Sequence, residues 1–274
     1  MKRDRLWVSV SGGRTSMMMA RLIQLHCGKD ADLLFVFANT GEEHERTLEF
    51  INECDKTWGL GVVWLEAVIQ PGRKGTTHKV VTFETASRSG QPFEQMIHKF
   101  GIPNKSYPHC NRELKLRPLQ HYIKSIGWKD ARVAIGIRAD EPKRIREAAD
   151  AERIVYPFAH WWPQDKQDVM TWWEDQSFDL GIQEREGNCK WCWKKTLTKH
   201  AANIASNPEW YEFPRRMEQQ HGMTNRQNSQ VFFRGALSAD ELFKAVAGSD
   251  SRAIPKEDES GGCSESCEAY AADM

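Results

Sequence analysis

Runs of apolar residues alternate with amphipathic stretches through the N-terminal half of the chain and somewhat beyond it. Five apolar runs lie at 6–10, 32–38, 62–68, 132–137 and 154–158. Continuous runs of this kind are typical of parallel strands covered on both faces, so each run predicts a strand. Helical spacing at 15–25 and 42–58 predicts helices between the first three strands. Because such crossovers are right-handed, the pattern predicts an α/β fold with a doubly wound, mainly parallel five-stranded sheet.

The pattern changes near residue 165. A helix is predicted at 165–176, a loop carrying Cys189 and Cys192 follows, and helical spacing continues to about residue 247. The last stretch has seven acidic residues against two basic ones and little apolar content, which predicts a flexible tail. We therefore expect an α/β domain at 1–164, a helical cysteine-bearing part at 165–247 and an acidic tail at 248–274.

Composition and charge exclude several classes of protein. The 274 residues include 38 basic and 38 acidic side chains, and a net charge of zero argues against a protein that coats nucleic acid by bulk electrostatics. No signal peptide fits the N-terminus and no run of 18 apolar residues occurs, so a cytoplasmic protein without a membrane partner is expected. Seven cysteines are too few for a disulfide scaffold in a chain of this length.

A glycine-rich segment at 11–16 joins the first predicted strand to the first predicted helix. Glycines let backbone N–H groups converge on an anion, and the helix start adds partial positive charge. The alternative is an ordinary Gly-Gly turn with a Ser/Thr helix cap. The segment predicts a phosphate-binding loop formed by Ser11, Gly12, Gly13, Arg14, Thr15 and Ser16.

This segment resembles the pyrophosphate loop, Ser-Gly-Gly-x-Asp-Ser, of the N-type ATP pyrophosphatase and phosphoadenosine phosphosulfate (PAPS) reductase superfamily, which has an adenine nucleotide alpha hydrolase-like fold. Further segments resemble the superfamily in the same order. They are Asn-Thr-Gly-Glu at 39–42, Cys-Asn-Arg-Glu-Leu-Lys at 110–115 with Pro118 and Leu119, Gly-Ile-Arg-Ala-Asp-Glu at 136–141, Tyr-Pro-Phe at 156–158 with Trp161, Asp168 and Val169, and Gly-Asn-Cys-Lys-Trp-Cys at 187–192. The pattern is most similar to the PAPS reductase-like proteins often found in phages and prophages.

The resemblance implies a site for an adenine nucleotide, ATP or PAPS. Besides the loop, it implies nucleotide contacts from Asn39, Thr40, Gly41, Glu42, Gly136, Arg138 and Glu141, and catalytic roles for Lys115 and Arg138. The chain departs from the family at three places. Thr15 replaces an aspartate, which weakens the case for Mg²⁺, Asn111 replaces the second cysteine of a pair, and the C-terminus lacks the Glu-Cys-Gly-Leu/Ile-His ending.

Three cysteines match a ligand pattern of the iron–sulfur members of the family. Cys110 precedes Cys189 at an interval similar to the family's, and Cys192 completes a Cys-x-x-Cys turn, so the resemblance implies a 4Fe-4S cluster on these three residues. Nearby lysines would stabilise the thiolates, namely Lys115, Lys190, Lys194 and Lys195. The fourth iron is either capped, by His109, Cys263, Cys267 or an exogenous ligand, or left open to bind sulfide. The alternatives are Zn²⁺ completed by His109 or His200, and no metal.

Three functions remain open at this point. In the first, an acceptor oxygen attacks the α-phosphorus of ATP, and sulfur from an open iron then displaces AMP. In the second, a cysteine thiolate reduces PAPS or adenosine phosphosulfate, with Cys267 on the tail as the candidate nucleophile. In the third, the chain is a nucleotide-binding regulator without catalysis. The partners implied are a sulfur donor or thioredoxin, a second copy of the chain, and a nucleic-acid acceptor. Trp191 and Trp193 would either stack on bases of such an acceptor or cover the metal site.

Overall fold

A computed structural model describes residues 3–72, 74–222, 230–247 and 269. Within these residues the fold is α/β, built on one six-stranded sheet in the order β4-β3-β2-β1-β5-β6. The strands are β1 Asp4–Val10, β2 Ala31–Asn39, β3 Val63–Val68, β4 Thr77–Val81, β5 Arg132–Ala134 and β6 Ile154–Val155. All neighbouring strands run parallel except β3 and β4, which are antiparallel. The mainly parallel sheet predicted from the apolar runs is confirmed.

The helices lie on both faces of the sheet and beyond it. Their bounds are α1 Arg14–Cys27, α2 Glu45–Trp58, α3 Gln91–Phe100, α4 His109–Asn111, α5 Arg117–Ser125, α6 Lys166–Glu174, α7 Leu197–Ser206, α8 Glu212–His221 and α9 Ala239–Ala247. A π-helical segment, Arg112–Leu116, joins α4 to α5 and carries Lys115. The helix α6 begins with a capping box, in which Asp165 and Asp168 each accept the other's backbone N–H.

The prediction of five strands is wrong by one. The strand β4 was missed because it is an edge strand with half-exposed and exposed positions, so its sequence, Thr-His-Lys-Val-Val, has no buried apolar run. The strands β5 and β6 are also shorter than the predicted 132–137 and 154–158. A side chain at Gly136 would lie 3.1 Å from the Cα of Ser16, because the chain beyond β5 passes close to the start of α1.

The order of the strands creates a switch point between β1 and β5. From β1 the chain moves outward through β2 and β3, and it later returns to the other side of β1 to form β5 and β6. The loops after β1 and β5 therefore leave the sheet on opposite sides of one gap. Crevices at such switch points, outside the carboxyl ends of the strands, are where open α/β sheets bind ligands.

Three clusters of buried apolar residues form the core. One joins β1 and β2 to α1 and α2 and also contains Val169 and Trp173 of α6. The second surrounds Trp191 with residues of α3, α7 and α8, and the third covers the opposite side of the sheet against α5. The predicted boundary at 164/165 remains a prediction, and α6 packs on α1 across it. The predicted tail lies outside the described residues except for Ala269, which is buried against the third cluster.

Among the described residues, no helix is both long enough and apolar enough to cross a bilayer.

Candidate nucleotide and cysteine site

The loop after β1 is closed by its own hydroxyl groups. Ser11 Oγ donates to Ser16 Oγ over 2.9 Å, and Ser16 Oγ donates to the Gly13 carbonyl over 3.0 Å. Gly12 has φ +84°, and a Cβ there would stand 2.5 Å from Thr47 Cγ2 on α2. Gly12 thus fixes the path of the loop against α2, while Gly13 is extended, with φ −87° and ψ 161°, a conformation open to any residue.

Arg138 faces this loop from across the switch point. Its Nη1 donates to Thr15 Oγ1 over 3.4 Å, and its Nε donates to Asp140 over 2.8 Å. Glu141 accepts from the Arg138 backbone N–H and pairs with Arg144 at 2.6 Å. The structure therefore brings together the predicted residues Thr15, Gly136 and Arg138, and it gives Glu141 a role in shaping the turn after β5.

Arg14 points to a different partner. Its guanidinium forms two hydrogen bonds with Asp179, at 2.7 and 2.5 Å, and its side chain is only 8% exposed. The Arg14 carbonyl accepts from Trp173 Nε1 over 3.0 Å. These contacts tie the start of α1 to α6 and the segment after it, so the guanidinium anchors the loop in this structure.

The turn after β2, at 39–43, is held by two buried carboxylates. Glu43 accepts from the backbone N–H groups of Thr40 and Gly41, over 3.0 and 3.1 Å, and from the Thr40 hydroxyl. Asn39 Nδ2 donates to Glu66 Oε1 over 2.7 Å, at the end of β3. Asn39 is fully buried and thus supports the turn from within the protein.

Glu42 is a buried carboxyl beside the cysteine loop. It accepts from Trp191 Nε1 over 2.6 Å, and Gly90 leaves room for its other oxygen. Burial raises the pKa of Glu42 to about 7, although Lys190 and the Trp191 hydrogen bond act in the opposite direction. Near neutral pH, Glu42 is therefore partly protonated.

Backbone hydrogen bonds join the turn at 39–43 to the cysteine loop. The Lys190 backbone N–H donates to the Glu42 carbonyl over 3.0 Å, and Glu43 and Cys189 form an isolated antiparallel bridge. The Thr40 hydroxyl lies 3.5 Å from Cys189 Sγ. Asn188, with φ 61°, turns the chain into this loop. The turn at 39–43 and the cysteine loop at 188–192 thus form one connected unit, which we call the strap.

Cys110, Cys189 and Cys192 line one cavity, although the first lies far from the other two in the sequence. Lys115 and Lys194 line it too. Burial, and then Glu43, raises the pKa of the Cys189 thiol well above its usual range, and Lys115 opposes this. Three thiols with a lysine beside them suit the donor set of an iron–sulfur cluster or of zinc. Within the described residues, no group of three or more His, Cys, Asp or Glu side chains forms a ready-made metal site.

Lys195 stabilises the cysteine loop through hydrogen bonds to its backbone. It is 1% exposed, and its Nζ donates to the carbonyls of Cys189 and Lys190 over 3.0 and 2.8 Å. Trp191 and Trp193 are also buried, at 0% and 5% exposure, and Trp191 stacks on Phe213. Buried indoles offer no face to a base, so of the two alternatives for Trp191 and Trp193 the structure favours the covering role, and a nucleic-acid partner stays a prediction.

The other candidate ligands either form hydrogen bonds of their own or lie outside the described residues. His109 Nε2 is 3.0 Å from the Gly101 carbonyl, and His200 Nδ1 is 2.7 Å from the Tyr211 hydroxyl. Burial lowers the pKa of His200 to about 3, which keeps it neutral. Cys263 and Cys267 lie outside the described residues.

Several residues that build the site were not anticipated from the sequence. They are Glu43, Glu66 and Asp179. The paired acids at 42 and 43 were a usable signal for Glu43, because two carboxylates after a Thr-Gly turn can accept its free N–H groups. Asp179 gave no signal, since its partner Arg14 is 165 residues away.

Comparisons with known proteins identify one relative that spans the chain. The nin region protein ORF290 of Escherichia phage lambda is 31% identical over 278 residues, which cover 96% of this chain and 94% of that protein. The protein MJ0066 of Methanocaldococcus jannaschii is 26% identical over 56% of this chain, but over only 28% of its own length. No protein-family model matches.

Among solved structures, a PAPS reductase from Candida auris in complex with phosphate aligns with 62% of this chain and 71% of its own, with a TM-score of 0.38 and 15% identity. Similarity at that level carries no weight for function. The phage lambda relative is different, because it matches over almost its whole length, and the chain belongs to the family of the nin region protein ORF290.

Proposed function

We propose that this protein is an enzyme that binds ATP in the crevice between β1 and β5 and uses it to activate an acceptor for sulfur transfer. One observation carries the proposal. A glycine-rich loop, a helix start and Arg138 face one another at the switch point of a parallel sheet, and the strap joins this edge to three cysteines. Together with the sequence resemblance to the ATP pyrophosphatase and PAPS reductase superfamily, this supports a nucleotide site next to a sulfur site.

The residues of the crevice would bind the phosphates. The first N–H groups of α1 have no acceptor within the helix, so they can donate to phosphate oxygens. The Thr15 hydroxyl and the Arg138 guanidinium are already in contact and would lie on the same phosphate group. Donors fixed before the reaction stabilise charge that develops on a leaving pyrophosphate.

The reaction would have two steps. An acceptor oxygen attacks the α-phosphorus, pyrophosphate leaves, and the acceptor becomes adenylylated. Sulfur then replaces the activated oxygen, which departs with AMP. A 4Fe-4S cluster held by Cys110, Cys189 and Cys192 would supply a binding point for that sulfur when present. Lys115 lines the cysteine cavity and would place positive charge beside the thiolates.

The loop is tested with Gly13→Val. Gly13 is extended, so valine fits its backbone conformation, but its side chain would block the approach of phosphate to the loop. We expect ATP affinity, measured by calorimetry, to fall at least about tenfold, with an unchanged melting temperature. Gly75→Val is the matched control, because a Cβ there meets nothing closer than 3.7 Å. ATP binding unchanged by Gly13→Val would remove the loop from the site.

Reduction of PAPS or adenosine phosphosulfate is a second candidate, favoured by one contact. Asn111 Nδ2 donates to the Ala269 carbonyl over 3.4 Å, so a residue near the C-terminus lies beside Cys110. The two functions are separated by supplying ATP or PAPS with a dithiol reductant and measuring pyrophosphate and sulfite. Pyrophosphate from ATP with an acceptor supports activation. Sulfite from PAPS, lost in Cys267→Ser, would overturn it in favour of reduction.

A further inference from the structure

We propose that a second cleft, beside α3, binds one base of a single-stranded polynucleotide, and that this polynucleotide would be the acceptor. This inference rests on the proposed function, because it names the acceptor class. The cleft has a volume of about 920 Å³ and is lined by glutamine amides and imidazoles. We call it the amide cleft, and its lining includes Gln70, Gln91, Gln95, His98, Gln220 and His221.

The amide cleft and the proposed reaction site lie at the same edge of the sheet, with α3 between the cleft and the cysteine cavity, so a base bound in the cleft would hold the strand while another base reaches the reaction site. Gln70 follows β3, which is two strands from β1, or about 10 Å, at the same edge of the sheet. The helix α3 forms the wall between the amide cleft and the cysteine cavity, because Phe93 lines the cavity and Gln95 lines the cleft. At the start of α3, Gly90 donates its N–H to the Gly41 carbonyl of the strap turn, over 3.0 Å.

The lining chemistry matches a nucleobase. Each glutamine amide offers two donors and an acceptor in one plane, which is the pattern needed to pair with a base edge. His98 and His221 stand edge to face, with ring centroids 5.7 Å apart, and one ring face can support a stacked base. A glutamine set with two imidazoles recognises planar groups that carry both donors and acceptors.

The charges around the amide cleft suit a polyanion. Among the lining residues that the structure describes, Glu94 is the acidic one, and Arg216 pairs with it at 3.3 Å. Lys99 also lines the cleft, and its Nζ donates to the carbonyls of Gln70 and Lys74, both over 2.6 Å. These bonds fix the loop after β3 to α3, so the wall of the cleft is preformed. Counting Arg216 beside it, the described charges at the cleft are two cations, Lys99 and Arg216, against one carboxylate, Glu94.

The test is direct binding, without ATP or metal. Fluorescence anisotropy would compare a labelled single-stranded 12-mer, as DNA and as RNA, with an abasic strand of the same length. We expect the abasic strand to bind at least about tenfold more weakly, since stacking and edge contacts to the base are lost. The double variant Gln95→Ala with His98→Ala should weaken binding of the normal strand by a similar factor.

Controls separate this inference from the proposed function. Gln120→Ala with His121→Ala makes the same chemical change on exposed positions of α5 and should leave strand binding within about twofold. Gly13→Val should weaken ATP binding at least about tenfold and leave strand binding within about twofold. Equal binding of abasic and normal strands, no binding at all, or full binding by the Gln95 and His98 variant would each overturn the amide cleft as a base site, whatever the result with ATP.

Discussion

Glu42 shows how one buried side chain makes stability depend on pH. In the unfolded chain this carboxyl ionises near pH 4.5, whereas burial in the fold raises its pKa to about 7. Raising the pH from 4.5 to 7 therefore favours the unfolded state, and the loss is complete above pH 7. Glu42→Gln keeps an acceptor for Trp191, so we expect it to raise the free energy of unfolding at pH 8 by up to about 3 kcal/mol and to change little at pH 4.

Urea unfolding at the two pH values measures this effect. Glu212→Gln, an exposed carboxyl on α8, is the control and should behave like the parent protein at both pH values. A Glu42→Gln variant that is destabilised at pH 8 would show that the carboxylate is ionised and stabilising in the fold.

Gly12 combines a backbone constraint with a packing constraint. Gly12→Ala should cost about 1–3 kcal/mol, because φ is +84° and the new Cβ would stand 2.5 Å from Thr47 Cγ2. Gly59→Ala carries the backbone cost alone, since φ is +63° and nothing lies within 4 Å. The difference between the losses in unfolding free energy caused by Gly12→Ala and Gly59→Ala gives the cost of the clash with α2. Adding Thr47→Ser to Gly12→Ala removes the clashing methyl group and should restore part of that lost stability. If Gly12→Ala and Gly59→Ala lowered the free energy of unfolding equally, α2 would have moved away from the new Cβ at residue 12 without a measurable cost.

At the scale of elements, the cysteine loop is expected to carry iron. Protein purified without oxygen should be brown and contain about four irons and four sulfides per chain, and Cys110→Ala, Cys189→Ala or Cys192→Ala should each remove the colour. Cys27→Ala is the control, because Cys27 lies on α1, outside the cysteine cavity. Colourless protein with one zinc per chain would contradict the cluster and leave a tetrahedral metal site in its place.

The pair of Arg14 and Asp179 joins α1 to the segment after α6. Asp179→Asn removes the counter-charge of a guanidinium that is 8% exposed, so we expect a loss of about 1–3 kcal/mol in the free energy of unfolding. Glu49→Gln, in the more exposed pair with Arg46, should cost less than about 0.5 kcal/mol. Equal costs would mean that Asp179 adds no more than a surface pair.

Elements buried on both faces were predictable from the sequence, and elements at edges were not. The strands β1 and β2 are continuous apolar runs, and the loop after β1 has glycines where the chain must turn. The edge strand β4 lacks that signal. The motif resemblance predicted that the three cysteines lie together, and they line one cavity. It could not predict that Trp191 is buried against Glu42 or that Arg14 pairs with Asp179. Both contacts join side chains from distant parts of the sequence, which meet only in the folded chain.

For the whole molecule, the strand order explains why residues from distant parts of the sequence meet. The loops after β1, β2, β3 and β5 all leave the same edge of the sheet. Thr15, Glu42 and Arg138 therefore lie along that edge, although they are far apart in the sequence. The sequence predicted the alternation of strands and helices that produces this edge. It could not give the register of pairing or the sixth strand, which are set by side chains that meet only after folding.

The strap has a thermodynamic consequence. Since the turn at 39–43 and the cysteine loop share backbone hydrogen bonds, ordering one of them also orders the other. On the proposed function, a nucleotide that rigidifies the turn would strengthen metal binding at the cysteines, and a bound metal would strengthen nucleotide binding by the same factor. Hydrogen exchange at the Lys190 amide would report both events, because its acceptor is the carbonyl of Glu42. Occupation of one proposed site would thus lower the entropic cost of ordering the other.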